Sequence, residues 1–342
     1  MATKQFCAGV DIGGTKISSA LFTRDGAIVG RGRIPIDERG GDHAAGQIAE
    51  ILGRLRDLSS KEDGQLLSIA LSVPGVVYPN TGLVWAPNIP GWDHYPLHDR
   101  VAVRNAVGQP AADRDGVPEG DIRICLASDR SAYVMGEQWL GAARGATDAV
   151  FLAVGTGIVA GILSGGRIVR GAEDIAGAVG WFALNPHFRD EYAAMGCFEA
   201  EASGDSVGRR AVRLLEEGHS SLIRDLAGGD ARKVTAEVVA QAARQGDAVG
   251  RLVIAETISY LAMGIANIVS MLNPEIVVLG GGLFRAADLL LEGVRTEFKR
   301  WAQPLAAAGV RIELSELGED AGLYGCGKLA WDAFDGGESC RP

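Results

Sequence analysis

The alternation of apolar and polar positions along this 342-residue chain predicts one structural unit twice. From Ala8 to Gly32 an apolar run enters Asp11-Ile12-Gly13-Gly14-Thr15-Lys16, a second run (Ile17 to Phe22) leaves it, and a third begins at Ala27 after an Asp25-Gly26 turn. This is the pattern of a strand, turn, strand, turn, strand meander. From Ala149 to Gly171 the pattern recurs, with Gly155-Thr156 where Gly14-Thr15 stood and Gly165-Gly166 near the place of Asp25-Gly26. Two such units so far apart predict two similar half-structures facing one another.

Elsewhere the period changes. Ile48, Ile51, Leu52, Leu55 and Leu58 recur at helical spacing within Asp42 to Leu58, and Leu66 to Val73 reads as a buried strand stopping at Pro74-Gly75. Val76 to His98 has no period. It is either a structural loop or one whose Asn88, Trp92, Asp93, His94 and Tyr95 line a polar pocket. Gly108 to Asp121 reads as an exposed Pro, Gly and Asp-rich excursion. A strand over Ile122 to Ala127 hands over at Ser128-Asp129 to a helix through Trp139. Further helices are predicted over Asp205 to Glu217, Thr235 to Arg244, Ala248 to Leu272 and Ala286 to Arg300. In the long one, Leu252, Ile254, Ile258, Leu261, Ile265, Ile268 and Leu272 form a wide apolar face suited to a core. A buried strand, Ile276 to Leu279, runs into Gly280-Gly281-Gly282, and a strand at Val310 to Leu314 precedes a helix from Asp320 to Phe334.

The length exceeds what one core usually fills, so two well-packed domains are expected from a chain with 47% hydrophobic residues. A formal net charge of −10 without any basic run speaks against a nucleic-acid partner. No uninterrupted apolar span of membrane length and no signal-peptide core are read, so a cytoplasmic protein with no membrane partner is expected. Cys7, Cys125, Cys197, Cys326 and Cys340 are scattered without CxxC spacing, which fits a reducing compartment better than a disulfide framework.

Candidate chemistry gathers at the glycine turns. Glycine lets backbone N–H groups approach a ligand, and successive N–H groups beside a Thr hydroxyl make a concavity suited to phosphate. A single such hairpin is commonly just a turn; the duplication with Gly-Thr at matching places favours phosphate, held by backbone dipoles, Lys16 and a metal ion. Asp129, at a strand-to-helix junction, is either a helix cap or a general base facing a ligand. Gly280 to Gly282 allow close approach of adenosine or phosphate. Gly322 to Lys328 has P-loop spacing, but Leu329 stands where Ser or Thr is needed and the segment reads as helix interior. Protein-kinase signatures are absent.

In order along the chain, Asp11-Ile12-Gly13-Gly14-Thr15-Lys16, Val73-Pro74-Gly75-Val76, Asn88-Ile89-Pro90-Gly91-Trp92, Asp129, Gly155-Thr156-Gly157, Gly196-Cys197-Phe198-Glu199 and Asn273 to Gly282 resemble the ROK family of repressors, open reading frames and sugar kinases. The resemblance implies a two-domain α/β, actin-like ATPase (ribonuclease H-like) fold with an interdomain active-site cleft. Residues 1–127 would form the first domain, with the 319–342 helix packing back on it, and 128–318 the larger second. It further implies ATP and Mg²⁺ as cofactors, Asp11 near the metal (indirectly), and Gly13, Gly14, Thr15 and Lys16 on the phosphates. Gly155, Thr156 and Gly157 would meet the same phosphates, and Gly280, Gly281 and Gly282 would lie at the adenosine. Asp129 would be the catalytic base, and Pro74, Gly75, Asn88, Ser128, Trp181 and Glu199 would join it around a sugar or sugar-like acceptor. A homodimer is expected.

The chain departs from the family pattern in three places. Ser128 precedes the catalytic acid where Asn is usual, and Ala178-Val179-Gly180-Trp181 replaces the sugar-binding E-x-G-H, losing a carboxylate and an imidazole. Of the family's zinc cluster only Cys197 remains, with Asp190, Tyr192 and Trp181 at the other places, so no structural zinc is expected. Trp181 is either a stacking surface for the acceptor or core filling the space of the zinc cluster. The expectation is an ATP-dependent carbohydrate or cyclitol kinase. A sugar sensor and a repressor are the alternatives, the latter disfavoured because the Asp11 motif leaves no room before it for a helix-turn-helix.

Overall fold

The computed structural model describes residues 3–78, 80–105 and 122–337, for 102–105 the backbone alone. The predicted excursion from Gly108 to Asp121 and Cys340 lie outside the described residues. The chain divides into two units: unit 1 is Met1–Gly145, Gly161–Ala176 and Glu319–Pro342, and unit 2 is Ala146–Ala160 and Gly177–Gly318.

In unit 1 the first meander forms as β1 (Lys4–Ile12), β2 (Lys16–Phe22) and β3 (Ile28–Pro35), followed by α1 (Gly41–Lys61) and β4 (Gly64–Val73). The short β5 (Val76–Val77) and β6 (Val84–Trp85) pair with each other, and α2 (Leu97–Asn105), β7 (Arg123–Ser128) and α3 (Asp129–Leu140) follow. The sheet order is β3-β2-β1-β4-β7, antiparallel within the meander and parallel from β1 to β4 to β7. Such mixed sheets are buried on both faces, which is why β1 and β4 read as continuous apolar runs. The helical stripe on α1 (Ile48, Ile51, Leu52, Leu55) covers one face together with Ile17, Ile69 and Leu71. On the other face lies α12 (Ala321–Phe334), packed against α3 and β1. Its glycines permit that approach: a Cβ on Gly325 would collide with the Ala132 carbonyl of α3, and one on Gly327 would come 2.7 Å from the Phe22 ring. The P-loop-like spacing of Gly322 to Lys328 therefore has a packing cause. Cys7, Cys197 and Cys326 are buried free thiols. Cys125 is disulfide-bonded, contrary to the reading of the cysteine spacings, because scatter along a sequence says nothing about distance in a fold.

The second meander is β8 (Ala149–Val154), β9 (Ile158–Ser164) and β10 (Arg167–Ile168), in a sheet of order β10-β9-β8-β11-β12 with β11 (Ile276–Gly280) and β12 (Arg311–Leu314). Of this meander Gly161–Ala176 belongs to unit 1, and apart from its strands unit 2 is helical: α4 (Tyr192–Met195), α5 (Cys197–Ala202), α6 (Gly204–Glu216), α7 (Leu222–Leu226), α8 (Ala236–Arg244), α9 (Ala248–Leu272), α10 (Ala287–Trp301) and α11 (Pro304–Gly309). At 25 residues, α9 is long and apolar enough to cross a bilayer, which the sequence reading overlooked. It packs among α5, α6, α8 and α10, so its apolarity serves the core. The buried face is Val249, Val253, Ile254, Thr257, Leu261, Ile265 and Ile268, whereas Leu252 is 45% exposed and does not belong to it.

Candidate functional site

The first glycine turn links β1 to β2 in unit 1. Gly13 N–H donates to the Lys16 carbonyl at 2.8 Å, and Ile36 N–H donates to the Thr15 carbonyl at 3.1 Å, so the turn is tied at both ends. Asn88, from the aperiodic loop, approaches this turn: a Cβ on Gly14 would sit 3.3 Å from the Asn88 Cβ. Lys16 Nζ lies 3.2 Å from Glu319 Oε2 in a solvent-exposed pair. Such exposed pairs are worth little, so Glu319 holds Lys16 only weakly. Trp92 and Tyr95 do not line a pocket. Both are buried in the largely aliphatic core of unit 1, beside Val84, Ile89 and Leu97 of the same stretch, and stack on each other with ring centroids 5.3 Å apart.

Asp11 and Asp129 stand at the carboxyl ends of β1 and β7. Ser72 Oγ donates to Asp11 Oδ1 at 2.6 Å. Burial pushes the Asp11 carboxyl above the usual carboxylate range, against the Ser72 hydrogen bond and the Lys16 charge. The cap position of α3 is Ser128, whose hydroxyl pairs with Ser131 Oγ at 2.9 Å. Asp129 is thus in the first helical turn, where its Oδ1 accepts from Arg130 N–H at 2.7 Å. Burial pushes its pKa up to about 6, opposed by Arg130 and assisted by the Asp11 charge. Tyr133 OH lies 3.5 Å from the other Asp129 oxygen. Pro74 and Gly75 follow β4, with Gly75 N–H donating to the Val73 carbonyl at 2.9 Å.

In unit 2 the second glycine turn opens onto a cavity of about 710 Å³. Gly155 and Thr156 line it together with Gly282 and Leu283, one face of α6 (Asp205, Arg209, Arg213) and Val234, Thr235 and Glu237. Gly282 lines this cavity, while Gly280 packs on the Phe151 ring and Gly281, at φ 92°, lies against the Val154 backbone. Sequence reasoning missed Arg209, Arg213 and Arg232. The first two recur at i, i+4 with Asp205 on α6, a polar face that an amphipathicity search focused on apolar residues passes over. Glu199 Oε2 accepts from Ile158 N–H at 2.8 Å, and a Cβ on Gly157 would stand 2.8 Å from that oxygen. Burial raises the Glu199 carboxyl, with the Ile158 hydrogen bond and Arg209 opposing.

Trp181 ends a 3-10 turn, Val179–Trp181, next to Glu199: a Cβ on Gly180 would be 3.0 Å from Glu199 Oε2. It is 57% exposed, so it does not fill the core. Tyr192, one of the positions read above against the zinc cluster, belongs instead to a network around Glu201. This buried carboxylate accepts from Tyr192 OH, pairs with Arg189 at 2.6 Å and with Arg210 at 2.9 Å, and Arg210 reaches Glu256 at 3.0 Å. Among the described residues no group of three His, Cys, Asp or Glu is placed to hold a metal ion.

Two α/β units, each with a glycine turn between the first two strands of its sheet, define the actin-like ATPase class. The profile of the ROK family matches residues 7–333, and the chain belongs to that family. It is 33% identical to the glucokinase of Halalkalibacterium halodurans over 94% of this chain and 93% of that protein. A ROK family glucokinase from Streptomyces griseus, solved in complex with glucose and AMPPNP, superposes with a TM-score of 0.71 at 27% identity, covering 96% of this chain and 99% of that one. The xylose repressor of Caldicellulosiruptor bescii is 29% identical over 76% of this chain and 61% of its own length.

Proposed function

We propose that the protein is an ATP-dependent kinase that transfers the γ-phosphoryl group to a primary hydroxyl of a sugar or a sugar-like amino sugar or cyclitol. The observation that carries this reading is Asp129: a shielded carboxylate at a strand-to-helix junction, with its pKa near 6, poised to be ionised yet basic at neutral pH. The glucokinase relatives, one of them solved with glucose and AMPPNP, support both the sugar and the nucleotide.

In this reading Asp129 takes the proton of the acceptor hydroxyl as its oxygen bonds to the γ-phosphorus, and the bond to the β,γ-bridging oxygen breaks to release ADP. Phosphoryl transfer asks mainly for alignment and charge neutralisation. Gly13 to Lys16 and Gly155 to Gly157 supply backbone N–H donors and one cation for the phosphates, and the 710 Å³ cavity beside Gly282 has room for the nucleoside. Asp11 fits Mg²⁺, since a single hard oxygen donor suits an ion that keeps several of its waters. When bound with ATP, Mg²⁺ supplies charge neutralisation of the phosphates. Glu199 and Asn88 orient the acceptor, with Pro74, Gly75 and Ser128 shaping its surroundings. We also propose a homodimer in the cytoplasm and no nucleic-acid or membrane partner.

The test is ADP release from ATP and Mg²⁺ with glucose, mannose, their amino and N-acetyl derivatives and C7-cyclitols. Acceptor-dependent ADP release is expected for at least one. Sugar binding without any turnover would favour a sensor or a regulator instead.

A further inference from the structure

Arg130 follows Asp129 in the chain but sends its guanidinium into the interior of unit 1, where it is buried. Nη2 donates to the Asp174 carbonyl and lies 3.8 Å from the Asp174 carboxylate, while Nη1 donates to the Gly75 carbonyl at 3.4 Å. Asp174 is 2% exposed, and its Oδ2 also accepts from Val77 N–H at 3.2 Å. One buried ion pair therefore joins three segments: the start of α3, the Gly75 to Val77 stretch after β4, and the loop after β10. The backbone at Asp174 is left-handed, φ 54°, a conformation that Asp and Asn tolerate better than most residues. Behind the pair, β9 presses on the Arg130 carbonyl at Gly161, where no Cβ would fit.

Buried ion pairs are poor sources of stability, since apolar residues of similar volume often do as well. Their value lies in fixing geometry. We infer that Asp174 and Arg130 are positioning residues, holding Asp129 and the Gly75 to Val77 stretch in one fixed relation for phosphoryl transfer. The inference rests on Asp129 being the base. A small misplacement of a reacting group is enough to cost up to about 10²-fold in rate without weakening binding.

The experiment compares Asp174→Gly, Asp174→Asn, Arg130→Lys and Asp129→Asn, using ATP and whichever of glucose, mannose, mannosamine or N-acetylmannosamine turns over fastest. Asp174→Gly keeps the left-handed backbone and the carbonyl but deletes the carboxylate. Its kcat is expected to fall about 10- to 100-fold with both KM values within about threefold of wild type. Asp174→Asn, whose amide oxygen still accepts from Val77, recovers most of that loss. A folded Asp174→Gly with wild-type kcat, or an Asn variant no better than the Gly variant, overturns the inference. Should Asp174→Gly fail to fold, Arg130→Lys decides: Lys spans Asp174 and Gly75 poorly, so unchanged kcat overturns the inference and reduced kcat at unchanged KM supports it. Asp129→Asn separates the two claims, because its full activity would remove the base assignment, whereas its inactivity beside a fully active Asp174→Gly removes only the positioning role.

Discussion

Ser72 Oγ donates a 2.6 Å hydrogen bond to Asp11 Oδ1, and the two residues face each other in register at the ends of parallel strands β4 and β1. The bond fixes the carboxylate at the mouth of the first glycine turn, and Ser72 itself is buried. Ser72→Ala leaves that carboxylate short of a donor in a shielded place, a loss of about 1–3 kcal/mol. Denaturant unfolding should show this loss. Where Asp11 serves Mg²⁺, the variant should also need more Mg²⁺ for half-maximal turnover; an unchanged Mg²⁺ requirement would argue against the role given to Asp11.

Asp129→Asn removes the proposed base while keeping size and the bond from Arg130 N–H. Turnover is expected to fall by roughly 10²-fold or more with ATP affinity nearly unchanged. In the wild type, kcat/KM should fall as pH drops through about 6, where Asp129 gains its proton. Stability runs the opposite way. Because the folded-state pKa lies above the unfolded value of 3.8, the protonated form is favoured by folding, and this contribution is full below 3.8 and lost as pH rises through about 6. Asp129→Asn should therefore be more stable than wild type at pH 7 to 8, on the order of 2 kcal/mol. A capping role would give a loss of about 1 kcal/mol instead. Near-normal turnover of the folded variant would sink the assignment.

Much of the fold was legible because its signals are local. The two meanders, the α1 stripe and the Ser128-Asp129 junction all show as period changes within a few residues. What could not be read depends on residues distant in sequence. Trp92 and Tyr95 look alike as core or as pocket until the loop is seen folded over them, and the Cys125 disulfide has no local mark. Arg130 offered no sign of burial, since its partner Asp174 is 44 positions away in an acidic stretch typical of a solvated loop. Arg232 reaches the unit 2 cavity from a short 3-10 turn that has no periodicity to detect.

The Glu201 network, which takes in Tyr192, predicts acid-labile rather than chelator-labile stability. The Tyr192, Arg189 and Arg210 partners hold the Glu201 carboxyl below its usual range against the cost of burial. A depressed folded-state pKa contributes stability above the unfolded value of 4.5, lost as pH falls below it. Glu201→Gln removes the charge from the buried partner of Arg210, which keeps Glu256, and should cost about 1.5–3 kcal/mol. EDTA should leave the melting temperature unchanged, and elemental analysis should find no stoichiometric zinc. About one zinc per chain would mean that Cys197, His187 and nearby carboxylates had been misread.

Trp181 makes the prediction that bears most directly on the acceptor. It stands 57% exposed, next in the chain to Gly180, on the turn where the family pattern would place a carboxylate and an imidazole. A substrate hydroxyl that loses its polar partner in a desolvated site forfeits about 1–3 kcal/mol. Two such losses lower kcat/KM by several hundredfold or more, at about 1.4 kcal/mol per factor of ten. The indole instead offers an apolar face on which a ring can stack, with one N–H donor. Unmodified glucose is therefore expected to be a poor acceptor, and one that is modified, deoxygenated or carbocyclic at the end away from the reacting hydroxyl a better one. Because Trp181 is exposed, Trp181→Ala should cost little stability while raising the acceptor KM and leaving the ATP KM alone. Steady-state kinetics with glucose, mannose, their amino and N-acetyl derivatives and C7-cyclitols checks both statements. Efficient turnover of glucose, or an acceptor KM untouched by Trp181→Ala, would refute the stacking role.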